Sequence, residues 1–347
     1  MSDGHLQGKK IFIDGDRGIG DMLVLTPAFR TLKEICPSCE LTVGAYELPA
    51  LQALERLPYI DHVRKMEDRG LGSKIRTAWQ LHSYDYVVLT GYRPVLARFL
   101  HYFGVKHLSG TGKEKQLRKG WFEVMTPQSD GKIARNVVRA SCGDVFRSLH
   151  LDSEAIRDYA CDCSLPTAEE EKSLHDKILR AGGLTELTEY VVIAPEGFTA
   201  LNIPYRLLEP LVAYLQERLD CPLVFMGKDT RALTAKLKEA VPEAKLIDLS
   251  GQTNVMEMFA LLKNAAYAIT VDSGPMHIAC ALGTKTVAYF TTSPPVMWAP
   301  DKCCYPVSAD VDCSPCKKGG PQYCSDRKCE NLIDWAVFKK SVEEALR

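Results

Sequence analysis

The fold is decided by residues 10–35, which read KIFIDGDRGIGDMLVLTPAFRTLKEI. Residues 10–14 form a short β-rich run that predicts a strand, and a glycine-rich turn follows it at once. Residues 22–35 then carry apolar side chains at the spacing of an amphipathic helix. A strand that enters a helix through such a turn is the opening unit of a parallel α/β sheet.

The same alternation of strand and helix recurs along the chain. Strands are predicted over 40–45, 62–66, 84–90 and 105–109, which gives about five in the first half, and again over 190–194, 222–226, 245–249, 267–271 and 286–290. Parallel strands need crossover helices that cover both faces of the sheet. We therefore predict two similar α/β domains, over residues 1–163 and 164–331, the second with a cysteine-rich tail, followed by a C-terminal helix over 332–347.

The length, charge and apolar content of the chain indicate which classes of protein to expect. At roughly 150 residues per domain, 347 residues suggest about two domains. Lys plus Arg is 43 and Asp plus Glu is 44, so the formal net charge of −1 predicts no general attraction to nucleic acid. Residues 1–10 are polar, and no apolar run approaches the ~20 residues that span a bilayer, so we expect a cytoplasmic protein.

Loops that follow strands of doubly wound sheets hold the ligands, and the first such loop here is Asp14–Asp21. Its glycines at 15, 18 and 20 allow positive φ and close backbone approach. Their order is not the Gly-x-Gly-x-x-Gly of dinucleotide enzymes, which disfavours a dehydrogenase. Asp21 begins the helix, where it is either a helix-capping carboxylate or a catalytic one.

Two further loops have the residue types of an anion site. Asp272–His277 joins a strand to a helix whose first-turn amides, at Gly274, Met276 and His277, suit a phosphate. Thr291 and Thr292 follow the last predicted strand, where they either bind a diphosphate or only form a turn. His277 has the alternative of a packed ring in the first turn of the helix.

Three groups of residues, in order along the chain, carry a family resemblance. They are Gly20-Asp21 with Thr26-Pro-Ala-Phe-Arg30, Leu32-Lys33 and Pro37; Ser250-Gly-Gln-Thr253 with Met256-Glu257 and Ala260-Leu-Leu262; and Asp272-Ser-Gly-Pro-Met-His277 with Ala281-Leu-Gly283. The set resembles glycosyltransferase family 9, the lipopolysaccharide heptosyltransferases. The resemblance runs nearly end to end and implies the GT-B fold, two Rossmann-like doubly wound domains that face each other across a cleft.

The resemblance also implies a reaction. Family members transfer heptose, with inversion and without a catalytic metal or other cofactor, from ADP-heptose to a hydroxyl of the lipopolysaccharide core. By this resemblance Asp21 is the general base, and Gly18, Gly20, Arg93 and Arg98 bind the acceptor. The expected donor-binding residues are Lys228, Asp229, Thr253, Asp272, Ser273, Gly274, Pro275, Met276, His277, Thr291 and Thr292.

One departure from the family concerns the donor. Members usually carry Lys-x-Trp-Pro, whereas this chain reads Ala200-Leu-Asn-Ile-Pro204, so Arg206 or Lys228 would have to supply the missing charge. Lys228 itself is either a phosphate ligand or a surface charge. The alternatives to a transferase are a nucleotide-sugar epimerase or hydrolase of the same fold, since fold does not fix function, and a degenerate transferase that serves as a cysteine-rich binding module.

The acceptor side offers a basic and aromatic surface. Arg93, Arg98 and Lys106 accompany an apolar helix, and Lys113–Lys119 (KEKQLRK) precedes Trp121-Phe122. Such a patch suits a lipid-linked glycan acceptor and peripheral contact with the inner membrane face, with a solvated loop as the alternative.

The tail contains Cys313, Cys316, Cys324 and Cys329 among 13 cysteines in the chain. Four thiolates can close a tetrahedral zinc or iron site, and a reducing compartment disfavours disulfides. We expect a structural zinc or iron ion there, with reduced thiols as the alternative.

Overall fold

The computed structural model describes residues 3–15, 18–67, 69–113, 119–127, 136–197, 202–316 and 324–347. The chain divides into two compact units, Met1–Ser164 and Leu165–Arg347. No helix in the described ranges is both long and apolar enough to pass through a membrane.

The N-terminal unit contains a parallel sheet of six strands within its described residues. They are β1 (Lys10–Asp14), β2 (Glu40–Ala45), β3 (His62–Lys65), β4 (Tyr86–Leu89), β5 (His107–Gly112) and β6 (Val124–Pro127). Their order across the sheet is β3-β2-β1-β4-β5-β6. The α-helices among the described residues of this unit are α1 (Ile19–Leu23), α2 (Thr26–Ile35), α3 (Leu48–Leu54), α4 (Gly70–Leu81), α5 (Pro94–Tyr102) and α6 (Val137–Ser148).

Helices cover both faces of this sheet. Ile11 and Ile13 of β1 pack into one buried cluster with α2, α3 and α6, whereas Phe12 packs into another with α4 and α5. Alternate side chains of one strand therefore enter two apolar layers, as a parallel sheet requires.

The C-terminal unit repeats the plan. Its described strands are β7 (Val191–Ala194), β8 (Leu223–Phe225), β9 (Leu246–Asp248), β10 (Tyr267–Val271), β11 (Thr286–Tyr289) and β12 (Cys304–Val307), in the order β12-β11-β10-β7-β8-β9. Its helices are α7 (Ala168–Gly182), α8 (Tyr205–Arg218), α9 (Arg231–Ala240), α10 (Val255–Lys263), α11 (Gly274–Ala281), α12 (Pro295–Trp298), α13 (Lys328–Asn331) and α14 (Trp335–Leu346). The last helix packs into this unit, since Phe338 and Val342 join its buried core.

The structure differs from the sequence prediction in two places. The helix predicted over 22–35 is two helices, α1 and α2, because the chain turns at Val24 and Leu25 before Pro27 enters the first turn of α2. Strands β6 and β12 were not predicted, so the N-terminal sheet has six strands among its described residues instead of about five.

Two residues of the first motif have a structural role. Thr26 Oγ1 accepts the amide of Asp162 at 2.9 Å. The guanidinium of Arg30 donates to the Asp162 carboxylate and to the carbonyl of Asp158. Tyr59 donates its hydroxyl to the same carboxylate at 2.7 Å. These contacts tie the segment before Ser164 to the N-terminal unit.

Glu257 of the second motif is also structural. It forms a capping box with Asn254 at the start of α10 and is buried. Its carboxylate accepts from Lys177 Nζ at 2.5 Å and from Ser173 Oγ at 2.9 Å, both on α7. Burial alone would raise the pKa of Glu257, but these donors hold it below the ordinary 4.5. The Glu257 carboxylate thus caps the start of α10 and joins this helix to α7.

We predict that Glu257→Ala lowers the free energy of unfolding by about 3 kcal/mol at pH 7, because it removes a cap and leaves Lys177 without its carboxylate. A folded-state pKa below 4.5 means that this contribution is present above about pH 4.5 and is lost as pH falls through the lower value. Urea denaturation at neutral and acidic pH measures both effects. Glu344→Ala, on the exposed side of α14, is the control and should change stability by less than ~0.5 kcal/mol. Equal losses for the two variants would contradict the role of Glu257.

Candidate functional site

The carboxyl ends of β1 and β4 bring three side chains together in the N-terminal unit. Asp14 ends β1 and is fully buried. Tyr46 donates its hydroxyl to Asp14 Oδ1 at 3.0 Å, and Arg93 Nε lies 3.5 Å from Asp14 Oδ2 and 3.1 Å from the Tyr46 oxygen. Burial and the Asp14 charge raise the pKa of Tyr46, which therefore stays a hydrogen-bond donor. Arg93, predicted to bind the acceptor, is held by this buried cluster.

The glycine-rich loop lies directly beyond Asp14. A Cβ at Gly15 would stand 1.9 Å from Met22 Sδ, and a Cβ at Gly18 would stand 2.7 Å from Asp21 Oδ2. Gly15, Gly18 and Gly20 all have negative φ, so the positive φ that glycine allows is not used here. The close approach that glycine also allows is used, because a Cβ at either of the first two would crowd Met22 or Asp21. Gly18 precedes α1, and the half-buried Asp21 stands in the first turn of that helix with its carboxylate beside Gly18.

The equivalent position of the C-terminal unit lies at the ends of β7 and β10. Asp272 follows β10 directly, and its amide donates to the carbonyl of Tyr289 at 3.1 Å. No described residue donates a hydrogen bond or an ion pair to its carboxylate. Burial raises the pKa of Asp272 to about 7, so this carboxyl changes charge near neutrality.

Helix α11 begins at this carboxyl. Ser273 is its N-terminal flanking residue and Pro275 lies in its first turn. The amides of Met276 and His277 donate to the carbonyl of Ser273, at 3.0 and 3.4 Å, so the expectation that they are free is wrong. The amide of Gly274 has no such bond among the described residues, and it remains as the donor that α11 can offer to an anion.

His277 points into the core of this unit. Its side chain is 4% exposed, its ring lies 6.2 Å from that of Trp298, and its Nδ1 has no partner among the described residues. Burial lowers the pKa of His277 to about 4, so the ring is neutral at pH 7. The structure therefore favours the packed-ring alternative over a cationic phosphate ligand.

The loops after β8 and β9 lie side by side at the same edge of the sheet. The amide of Gly251 donates to the carbonyl of Gly227 at 3.1 Å, so the loop that contains Lys228 lies against the loop that contains the half-buried Thr253. Glu196, in the loop after β7, accepts the amide of Lys228 at 2.9 Å. The side chains of Lys228 and Asp229 are exposed.

Two charged residues predicted near the donor already have protein partners. Arg231 donates to both carboxylate oxygens of Asp229, at 2.7 and 2.8 Å, and thereby lowers the pKa of this exposed carboxyl. Arg206 donates to the carbonyls of Ile333 and Glu330, at 2.7 Å each, so its guanidinium holds the C-terminal segment. Lys228 is an exposed candidate for the missing family lysine, whose position at Leu201 lies outside the described residues.

Thr291 and Thr292 line a pocket together with the four tail cysteines Cys313, Cys316, Cys324 and Cys329. The amide of Cys316 donates to the carbonyl of Thr292 at 2.7 Å. Burial and the proximity of the other three thiols raise the pKa of Cys329. The structure thus brings the predicted cysteines around one pocket. Within the described ranges, however, no three cysteine, histidine or carboxylate side chains are arranged to hold a metal ion.

The remaining predictions concern the basic surface. Arg98 is exposed on α5, with its guanidinium 5.7 Å from the ring centre of Tyr102. Lys119 stands 5.2 Å from the ring centre of Trp121. Residues 114–118 of the predicted basic segment lie outside the described residues.

The sequence did not predict that Asp14, Tyr46 and Glu196 form contacts at the carboxyl edges of the two sheets. Asp14 and Glu196 stand at or just beyond the ends of buried strands. A carboxylate at such a position could have been recognised from the sequence as a candidate site residue. Tyr46 had no local signal, because its bond to Asp14 joins neighbouring strands that are 32 residues apart in the chain.

Comparisons with known proteins find similarity to heptosyltransferases. A model described as glycosyltransferase family 9 (heptosyltransferase) matches residues 203–328. Lipopolysaccharide heptosyltransferase 3 of Escherichia coli strain K12 is 24% identical over 296 residues, which cover 81% of this chain and 82% of that protein. Lipooligosaccharide heptosyltransferase 2 of Haemophilus influenzae strain Rd is 24% identical over 304 residues, which cover 82% and 84%.

Solved structures share the fold of this chain. A family 9 glycosyltransferase from Veillonella parvula has a TM-score of 0.78 at 18% identity and covers 98% of both chains. The ADP-heptose heptosyltransferase II of E. coli has a TM-score of 0.73 at 18% identity, covering 97% and 98%. The iron-containing dodecameric glycosyltransferase TibC of enterotoxigenic E. coli has a TM-score of 0.61 at 15% identity, covering 98% of this chain and 76% of TibC. The predicted GT-B fold class is confirmed.

We predict that Asp272→Asn stabilises the protein by about 3 kcal/mol at pH 8 and has little effect at pH 4. A pKa raised to about 7 in the folded state means that the native protein loses stability as pH rises from about 4 to about 7, and the amide does not ionise. Thermal and urea unfolding across this range measures the difference. Asp310→Asn, at an exposed position, is the control. An Asp272→Asn effect that is independent of pH would contradict a buried, titrating carboxyl.

Proposed function

We propose that this chain is an inverting glycosyltransferase of family 9, which moves a sugar, expected to be heptose, from a nucleotide-diphospho-sugar to a hydroxyl of a lipopolysaccharide core or related glycan. The predicted resemblance is confirmed by the family model over residues 203–328 and by the two heptosyltransferases at 24% identity. The observation that carries the mechanism is that both motif loops, Gly18–Asp21 and Asp272–Gly274, leave the carboxyl edge of their own sheet at its central pair of strands.

Asp21 would act as the general base toward the acceptor. A sugar hydroxyl becomes a useful nucleophile only when a positioned base accepts its proton as the new glycosidic bond forms. The carboxylate of Asp21 stands at the first turn of α1 and occupies the space that a Cβ at position 18 would need. Arg93 beside Asp14, and Arg98 on α5, are the cations that this unit would offer to an acidic or phosphorylated acceptor.

The C-terminal unit would hold the donor. The Gly274 amide at the start of α11 and the hydroxyls of Thr291 and Thr292 are suited to stabilise the charge that develops on the departing diphosphate. Below about pH 7 the neutral carboxyl of Asp272 does not repel that diphosphate and can donate a hydrogen bond. Thr253 and Asp229 would contact the nucleoside or the sugar hydroxyls.

The proposed donor is ADP-heptose, because the E. coli structure with a TM-score of 0.73 is that of an ADP-heptose enzyme. Lys228 would supply the cation that the family places at the Lys-x-Trp-Pro element, since Arg206 is engaged by backbone carbonyls. The exposed ammonium of Lys228 follows β8 at the same edge of the sheet as Asp272.

We predict that Asp21→Asn lowers kcat for sugar transfer by about a hundredfold or more, because the amide cannot accept the proton. Donor binding should be unchanged, since the substitution lies on the N-terminal unit. Transfer to a glycan acceptor, followed by mass spectrometry of the product, measures the first quantity. A thermal-shift panel of ADP-, UDP-, GDP- and CMP-sugars measures the second and identifies the base, because a ligand that binds only the folded state raises its melting temperature.

Asp158→Asn is the matched control for this substitution, because Asp158 lies on the same unit in the segment that Arg30 anchors. It should retain transfer within about twofold of the native rate, as expected for a partly exposed ion pair. Native turnover in Asp21→Asn would overturn the assignment of the base. Free sugar or an epimerised nucleotide-sugar as the only product would overturn the proposed reaction.

We propose, second, that Cys313, Cys316, Cys324 and Cys329 hold a structural zinc or iron ion. The four thiols line one pocket and are the donor set that both metals accept, although the described side chains are not arranged around a common point. The tail around them contributes little to the apolar core. The related TibC structure is described as iron-containing. Bound metal would fix the tail beside Thr291 and Thr292 and would take no part in sugar transfer.

We predict about one zinc or iron atom per chain in protein purified without chelator, as measured by elemental analysis. Cys316→Ser together with Cys329→Ser should abolish the metal and lower the melting temperature. Cys221→Ser, at a buried cysteine of the core of the same unit, should leave the metal content unchanged. Less than ~0.1 atom per chain in the native protein would remove the proposal.

A further inference from the structure

Helix α4 exposes three large apolar side chains on one line. Leu71, Ile75 and Trp79 are 61%, 38% and 59% exposed. They are spaced four residues apart, so they lie one turn above another on a single side of the helix. The inner side of α4 is already packed, through Ala78 and Leu81, into the core of the N-terminal unit. The exposed row is therefore a second apolar face that the fold of this unit does not require.

Helix α5 extends the same surface. The ring of Trp79 meets that of Phe103 edge-on at 5.7 Å, and Phe103 follows Tyr102, which is 66% exposed. Val95, at the other end of α5, is 40% exposed. We call the exposed side chains of Leu71, Ile75, Trp79, Val95 and Tyr102 the α4–α5 surface.

The α4–α5 surface is predominantly basic, although Glu67 and Asp68 precede α4 in the chain. Helices α4 and α5 contain no Asp or Glu, whereas α4 carries Lys74 and Arg76 and α5 carries Arg98. Neither Lys74 nor Arg76 forms an ion pair with a described residue. Tyr102 lies under the Arg98 guanidinium and His82 stacks on Trp79 at 4.7 Å, so aromatic rings and basic groups alternate. The chain as a whole has a net charge of −1, which makes this a local basic region.

We infer that the α4–α5 surface docks on an anionic lipid bilayer. Amphipathic helices with apolar side chains beside Lys and Arg lie in the headgroup region, where the apolar groups enter the acyl boundary and the cations meet lipid phosphates. A second copy of the chain is a poorer occupant, because a two-fold contact would set the same basic groups against one another. The inference rests on the proposed function in one respect: a lipid-linked acceptor would be presented at such a surface.

The direction of the helices relates this surface to the acceptor edge. Crossover helices of a parallel sheet run antiparallel to its strands, so α4 and α5 begin at the carboxyl edge of the N-terminal sheet. Leu71 and Val95 therefore stand toward the edge that carries Arg93 and the Gly18–Asp21 loop. A bilayer against the α4–α5 surface would lie beside the end of the unit proposed to receive the acceptor.

The test is co-sedimentation of the full chain with vesicles of phosphatidylethanolamine that contain about a third phosphatidylglycerol. The variant Leu71→Ser/Ile75→Ser/Trp79→Ser should bind at least tenfold more weakly than the native chain. Lys74→Glu/Arg76→Glu should also lose binding, and native binding should fall as salt is raised. Leu332→Ser, at a 58% exposed apolar position of the other unit, is the control and should bind as the native chain does.

Thermal unfolding of each variant checks that it folds, and transfer to a glycan acceptor freed of its acyl chains should remain within about twofold of native in the triple variant. Native protein that stays in solution, equal binding by the triple variant, or binding only to neutral phosphatidylcholine would overturn the inference. So would a triple variant that changes the oligomeric state instead of vesicle binding. If vesicle binding behaves as expected but no sugar is transferred, the proposed function fails and the docking surface stands.

Discussion

The direction in which the crossovers wind is the constraint on which the rest of the structure depends. In each sheet the first strand lies beside the fourth, and the helices that follow these two strands leave on opposite faces because parallel crossovers have one hand. No helix can then cover the carboxyl ends of that central pair, which leaves a crevice lined by loops. Asp14, Asp21 and Arg93 stand at the crevice between β1 and β4, and Glu196 and Asp272 at the one between β7 and β10. The place of each candidate site within its own unit thus follows from strand order, and side-chain chemistry determines only what that site can do.

Each crevice contains a carboxylate, fully buried at Asp14 and half-buried at Asp272, and the two have different surroundings. Asp14 has a hydroxyl at 3.0 Å and a guanidinium at 3.5 Å, so its charge is compensated inside the unit. Asp272 has no such donor among the described residues, and burial raises its pKa to about 7. The Asp14 carboxylate, which has these partners, fixes the positions of Tyr46 and Arg93. The Asp272 carboxyl has no such partner among the described residues, so its protonation can change when a charged ligand enters the crevice. This contrast supports the proposals that Asp14 positions its neighbours and that Asp272 faces a ligand.

The sequence predicted strand and helix positions well wherever a strand is buried on both faces. Strands β1, β2 and β10 have the predicted bounds, since a continuous apolar run between turn residues is a strong signal. The missed strands, β6 and β12, are short edge strands with a proline each, Pro127 and Pro306, which an edge tolerates but which hides the pattern. The motif loops were also located correctly, because each one begins where the apolar run of a central strand ends. Their side-chain partners were not predicted, because the contacts of Tyr46, Arg206 and Glu196 join segments distant in the chain.

Several polar residues of the family signature have structural roles, although their residue types suggest binding or catalysis. Thr26 and Arg30 of the first block anchor the segment before Ser164, and Glu257 of the second begins α10 and binds α7. His277 of the third is a neutral, buried ring. What remains for chemistry in these blocks is small: one carboxylate over a glycine, one half-buried carboxyl, and one helix amide. Thr26, Arg30 and Glu257 join segments within their own units instead, so a chain can match the blocks in order while the family lysine is absent. The signature therefore supports the reaction more firmly than it supports the identity of the donor.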